Sequence, residues 1–287
     1  MNAKLKLLTS MAIFGTVGIF VRYIPLSSAA IAFCRGVMGC VFLLLLLAVT
    51  GKKLCFSDIK KNLALLLISG AAIGINWILL FEAYRYTTVA TATVCYYLAP
   101  AFVMLASPLL GEKLTAKKLG CVAVAMVGMV FVSGIFTQGS GGSFLGVVLG
   151  VGAAAFYASV MVLNKKLSPI GAYDKTILQL AAAAAVIAPY LLFTDGLSFD
   201  GMQATEWVLL AVVGIVHTGI AYALYFGSMK DLNAQTVAIL SYLDPVLSIL
   251  LSALILREAM DVFAVIGAVL ILGSALYSEL PERKKRG

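Results

Sequence analysis

Residues Tyr96–Thr115 read YYLAPAFVMLASPLLGEKLT, and residues Ser241–Met260 read SYLDPVLSILLSALILREAM. Each places Tyr-Leu-x-Pro inside a long apolar run, and the second carries Asp244 where the first has Ala99. Superposing Tyr97 on Tyr242 sets an offset of 145 residues. At that offset Thr91/Thr236, Leu98/Leu243, Pro100/Pro245, Ser107/Ser252 and Leu109/Leu254 coincide, and upstream so do Gly74/Gly219 and Phe81/Phe226. Between the copies lies QGSGGS, Gln138–Ser143, whose composition is that of a flexible linker. The sequence therefore divides into a first repeat over 1–138 and a second over 139–287.

What solvent this chain lives in follows from its charge content. Of its 287 residues, 62% are hydrophobic and 12% charged, against about 25% charged in a soluble domain. Runs of about 20 apolar residues suffice to cross a bilayer as helix. Ten such runs can be read: Leu5–Tyr23, Ser28–Val49, Leu63–Tyr84, Thr88–Leu110, Leu119–Phe136, Phe144–Leu163, Lys175–Phe193, Thr205–Ser228, Ala234–Leu256 and Val262–Tyr277. They are continuous rather than alternating, which excludes a membrane barrel and predicts an all-α integral membrane protein. The first run lacks a small-x-small cleavage site and reads as a retained helix.

The net charge of +8 is distributed in a way that argues against nucleic acid. With the N-terminus inside, 17 of the 21 Lys and Arg fall in inner loops and tails, and only Arg22, Arg85 and Arg257 fall outside. This positive-inside bias predicts that both termini face the cytoplasm across the cytoplasmic (inner) membrane. Five spans per half is an odd number, so the second half enters the membrane in the opposite sense. Inverted repeats of this kind are a device of secondary transporters that work by alternating access.

The residues YLAPAF and LLGEKLTAKKLG in the first half, with YLDPVLSILLSALILREAM in the second, resemble the drug/metabolite transporter superfamily, in its ten-helix branch with two EamA-type repeats. Pro100 to Glu112 and Pro245 to Glu258 reproduce the proline-to-glutamate pattern that closes each fourth helix in that family. The resemblance implies the inverted ten-helix fold and transport of a small metabolite. It does not select the solute.

Polar residues inside the runs are the candidates for binding. Asp244 lies about 16 Å into its span, near the bilayer midplane, where a charge costs at least about 2.5–3.5 kcal/mol and needs a partner or a wet cavity. Pro245 after it predicts a kink that frees a carbonyl near Ser241. Arg35 is the one cation away from the ends of a run. Three roles stay open for it: binding a substrate carboxylate or phosphate, neutralising Asp244, or reaching out to the surface. His217, the single histidine, is a proton relay or a packing residue. Asn76 and Gln179 offer hydrogen bonds, and Trp77, Tyr96, Tyr97, Tyr222 and Tyr242 offer aromatic walls. The expected chamber is walled by spans two, three, four, seven, eight and nine.

Small-residue spacings in GVVLG (Gly146–Gly150) and at Gly120, Gly128, Gly267 and Gly273 predict close helix packing within one chain. The oligomeric state expected is a monomer or a weak homodimer. The five cysteines have no metal-like or paired spacing and read as small apolar residues. No P-loop, paired histidines or catalytic loop appears, so no cofactor, metal or enzymatic activity is expected.

The reading that absorbs these features is a secondary transporter of a small polar metabolite. An amino acid or related zwitterion ranks first, because it would use Arg35 and Asp244 together; a coupling proton on Asp244 is the other use of that carboxylate. An exporter of lipophilic cations is the alternative. A membrane enzyme acting on lipid precursors would need polar residues at one interface, and a scaffold would leave Arg35, Asp244 and His217 unexplained.

Overall fold

A computed structural model describes residues 2–21, 23–87, 92, 95–132, 143–194, 196–247, 251 and 262–280. Arg22, Thr91, Gln138–Gly142, Ser252, Leu254, Arg257, Glu258 and the basic tail from Arg283 lie outside the described residues, as does the side chain of Tyr84.

Among the described residues the regular structure is helical, without strands. In chain order the helices are α1 (Ala3–Val21), α2 (Ser28–Val49), α3 (Phe56–Tyr86), α4 (Ala99–Ala106, extended by a tight turn Ser107–Leu110), α5 (Ala116–Val132), α6 (Phe144–Lys166), α7 (Ala172–Phe193), α8 (Ala204–Ser228), α9 (Ala234–Leu240) and α10 (Val262–Glu279). Six of them, α1, α2, α3, α6, α7 and α8, are long and apolar enough to cross a bilayer. Starts follow capping chemistry. Ser27 Oγ accepts from Ala30 N–H at 3.2 Å, and Asn233 Oδ1 accepts from Thr236 N–H at 2.7 Å. Gln203 and Glu206 form a reciprocal capping box at the start of α8.

The packing partners come in exchanged pairs. Helix α3 packs on α6 and α7, while α8 packs on α1 and α2; α2 meets α7, α4 meets α9, and α5 meets α10. Exchanging the first half for the second maps this set of contacts onto itself. Small residues make the approaches possible. A Cβ on Gly146 would lie 2.6 Å from Thr87 and one on Gly150 2.8 Å from Cys95, so α6 sits directly against the end of α3 and the segment before α4. A Cβ on Gly128 would lie 2.8 Å from the Gly267 carbonyl oxygen, so its absence lets α5 and α10 come together. Gly120 and Gly273 meet nothing within 4 Å, contrary to the sequence expectation.

The repeated prolines do more than kink. The chain turns at Tyr97–Leu98 in the first half and at Ser241–Tyr242 in the second, and each proline falls in the first turn of the helix that restarts. Proline is tolerated there because its missing N–H would have no partner anyway. The Ser241 carbonyl accepts from Asp244 N–H at 3.3 Å, so it is occupied by the turn rather than freed as the sequence suggested.

Candidate functional site

Tyr97, in the first turn, and Asp244, just after the second, both line one cavity of about 300 Å³. Its lining includes Arg35, Trp77, Tyr96, Tyr97, Tyr222 and Asp244, so six of the ten residues chosen from sequence come together. The size falls at the lower end of ligand pockets, which run from roughly 300 to 1,000 Å³.

Arg35 is held from two sides. Its Nε donates to Thr218 Oγ1 at 3.0 Å, and its guanidinium carbon lies 4.6 Å from the centre of the Trp77 ring. Thr218 can serve because α8 widens into a π-helical stretch, Ile215–Ile220, in which its hydroxyl donates to the Val213 carbonyl at 2.9 Å, five residues back. The terminal amino groups of Arg35 make no hydrogen bond to described residues. The Tyr97 side chain lies beside Asp244, and both line the cavity. Neither charge makes an ion pair with the other or with any described residue. Neutralisation of Asp244 by Arg35 is thus not what the arrangement provides, and Arg35 packs inward rather than reaching for the surface.

Aromatic rings form the rest of the wall and close one end. Trp77 and Tyr222 meet edge to face at 6.1 Å, and Tyr96 stacks on Tyr157 at 5.6 Å. Beneath them Phe14 touches Tyr222 at 5.1 Å, the Tyr157 hydroxyl donates to the Tyr225 hydroxyl at 3.0 Å, and Phe226 packs on Tyr222 and Tyr225. Tyr225 and Phe226 of this layer are fully buried.

Four sequence candidates lie elsewhere. Asn76 Nδ2 donates to the Ala153 carbonyl at 2.6 Å and ties α3 to α6. Gln179 Nε2 donates to Ser69 Oγ at 2.6 Å and ties α7 to α3, with its Oε1 lacking a partner among the described residues. The hydroxyl of buried Tyr242 donates to the Tyr97 carbonyl at 3.2 Å. His217 bridges to Thr16 Oγ1 through Nε2 at 2.8 Å, and its Nδ1 lies 3.3 Å from the Val212 carbonyl, so it joins α8 to α1 behind Arg35. Buried amides in lipid find partners on neighbouring helices first, and these did.

The walls also differ from expectation. Helix α7 contributes none, while α1 supplies Phe14, Val17 and Gly18, α6 supplies Tyr157, and α3 adds Leu80 and Phe81. Span one was passed over because it holds no charge at mid-depth. Tyr157, a tyrosine in the middle of an apolar run, was the available signal. Glu112 has a role the motif did not reveal: its carboxylate accepts from the N–H groups of Ala234 at 2.6 Å and Gln235 at 3.2 Å, capping α9 of the opposite half.

The chain is 30% identical over 282 residues to an uncharacterized transporter, YxxF, of Bacillus subtilis (strain 168), covering 96% of this chain and 89% of that one. It is 25% identical to the pseudopaline exporter CntI of Pseudomonas aeruginosa, covering 86% and 84% of the two chains. To a probable amino-acid metabolite efflux pump of Escherichia coli (strain K12) it is 27% identical, covering 74% and 75%. A crystal structure at 20% identity superposes with a TM-score of 0.86 over 96% of each chain, which shows a shared fold. The EamA-like transporter family matches residues 2–134 and again 144–278. This chain therefore belongs to the EamA-like transporter family, as a multi-pass membrane protein built from two repeats of that domain.

Proposed function

We propose that the protein is a secondary transporter of a small zwitterionic metabolite, with an amino acid or a close relative as the first choice. The observation that carries this reading is one cavity lined by a cation and an anion that do not pair with each other. A carboxylate would take the open fork of Arg35 in two parallel hydrogen bonds. An ammonium group would meet Asp244, with Trp77, Tyr96 and Tyr222 around the carbon skeleton. The relative named as an amino-acid metabolite efflux pump supports this solute class.

Movement follows from the asymmetry between equivalent residues. Leu80 and Phe81 line the cavity, whereas their counterparts 145 residues on, Tyr225 and Phe226, are fully buried in the layer that closes it. Two inverted halves that exchange conformations would bury the first pair and open the second. Solute binding would bias that exchange only through different affinities for the two states. In this reading the halves divide near 138/139, both termini are cytoplasmic, and one chain suffices for transport.

The test is purified protein in proteoliposomes, after a thermal-shift screen of amino acids, their decarboxylated amines and their deaminated acids. Zwitterions should stabilise the protein and be transported. Stabilisation by lipophilic cations alone would instead favour the rival exporter, for which Arg35 is an obstacle in so small a cavity.

A further inference from the structure

A second cavity, of about 150 Å³, opens where α6 ends, α7 begins and α8 ends. Asn164, Lys165, Ser168, Lys175, Met229 and Lys230 line it. It adjoins the aromatic layer, since the Lys175 ammonium sits 5.9 Å from the Phe226 ring centre. At about 30 Å³ per liquid water, the space holds a phosphate-sized group with a few waters.

Lysines that only set topology need to face water. Lys175 does not: it is 5% exposed. Lys165 and Lys230 are near enough to repel it. Among the described residues no carboxylate comes within ion-pair distance of any of the three. Glu112 and Asp231 are near enough to attract Lys165 without forming an ion pair with it, Glu112 also caps α9, Asp231 is on the surface, and Asp174 lies near Asp58. A buried ammonium without a counter-charge is costly, so the cavity is built for an anion. Asn164, also 5% exposed, has an Oδ1 without a donor, while its Nδ2 donates to the Val160 carbonyl. That oxygen calls for a hydroxyl on the same ligand. The loop that frames the site is tied to α3, where Asn62 Oδ1 accepts from Ser168 N–H at 2.9 Å.

We propose that this cavity binds a phosphate group carrying a neighbouring hydroxyl, either the head group of an anionic phospholipid or a soluble phosphate ester. Three ammonium groups take the phosphate oxygens, and Asn164 Oδ1 accepts from the hydroxyl.

The test uses the full chain in detergent, by native mass spectrometry and thermal shift, with dioleoylphosphatidylglycerol, dioleoylphosphatidylcholine and glycerol 3-phosphate as separate probes. Phosphatidylglycerol bound in preference to phosphatidylcholine, with glycerol 3-phosphate inert, assigns the site to lipid. Binding of glycerol 3-phosphate assigns it to a soluble ester. In either case Lys175→Gln should weaken binding at least about fivefold. Exposed Lys230→Gln should weaken it in the same direction and keeps the test valid if Lys175→Gln fails to fold. Equal binding of both lipids with no response to glycerol 3-phosphate, or binding unchanged in Lys230→Gln and Lys165→Gln, overturns the proposal.

Discussion

The Tyr242 hydroxyl donates to the Tyr97 backbone carbonyl at 3.2 Å, and the two tyrosines are each other's counterparts 145 residues apart. Counterparts that touch lie at the seam where the two halves meet. Trp77 and Tyr222, separated by the same offset, touch as well, at 6.1 Å. The Arg35–Asp244 cavity is lined from both halves, by Trp77 and Tyr97 of the first and by Tyr222 and Asp244 of the second.

The paired charges predict a swap of ligand class. In Asp244→Asn, thermal stabilisation by a zwitterionic hit should be lost, while its deaminated carboxylate should still bind through Arg35. Arg35→Lys keeps the charge but loses the planar fork, and should weaken both ligands by about tenfold or more, given about 1.5–3 kcal/mol for a charge-assisted bond. If Asp244→Asn binds the zwitterion as well as the native protein does, the ammonium role is wrong.

Thr218 is predicted to act on solute binding through Arg35. Thr218→Val removes the hydroxyl that receives Nε and that closes the π-helical stretch. A loss of about 1 kcal/mol for the bond to Arg35 corresponds to roughly fivefold weaker solute binding, while the lost bond to Val213 lowers the melting temperature. Thr218→Ser should restore the affinity. Titration of the solute against the three proteins by calorimetry decides it, and equal affinities would remove Thr218 from the site.

How much of this was readable beforehand depends on what each residue answers to. The repeat could be read because Tyr97/Tyr242 and Pro100/Pro245 answer to backbone demands that both halves share. Arg35 and Asp244 could be read because a charge in lipid has few explanations. Asn76 and Gln179 could not be placed, since an amide in a span satisfies itself equally well on a ligand or on Ala153 and Ser69. Phe14 and Phe81 were invisible because an apolar residue lining a cavity is spelled like one facing lipid. The π-helical stretch at Ile215–Ile220 has no signature in composition, though it decides where Thr218 points.

Glu112 joins the halves by capping α9, so its loss should show in stability rather than in binding. Glu112→Gln retains one acceptor oxygen but loses the charge that complements the helix end, worth about 0.3–1 kcal/mol. Glu112→Ala removes both bonds, to Ala234 and Gln235. The expected order of melting temperatures in detergent is native, then Glu112→Gln, then Glu112→Ala, with solute affinity per folded molecule unchanged. Equal melting temperatures would show that the cap contributes nothing.

The glycine contacts give a graded prediction. A side chain at Gly146 would drive into Thr87, which is 2.6 Å from the position a Cβ would take, while Gly120 meets nothing within 4 Å. Gly146→Val should therefore lower folded yield and melting temperature by pushing α6 off α3, with overpacking costing about 1–3 kcal/mol. Gly120→Val should leave both near native values. Size-exclusion profiles of the two variants separate the outcomes, and a well-folded Gly146→Val would mean that α6 does not pack as closely as described.

Phe81 and Phe226 test the motion itself. In the conformation described, Phe81 lines the cavity and Phe226 is fully buried. In a background with the five native cysteines replaced by serine, Phe81→Cys should react quickly with a small hydrophilic maleimide and Phe226→Cys slowly. If the halves exchange conformations, each position should react from one side of a sealed vesicle only, and the two sides should be opposite. Transported solute should then change the two rates in opposite directions, because opening at Phe226 requires closing at Phe81. Labelling of both positions from the same side, or solute effects of the same sign at both, would rule out alternation between two inverted halves.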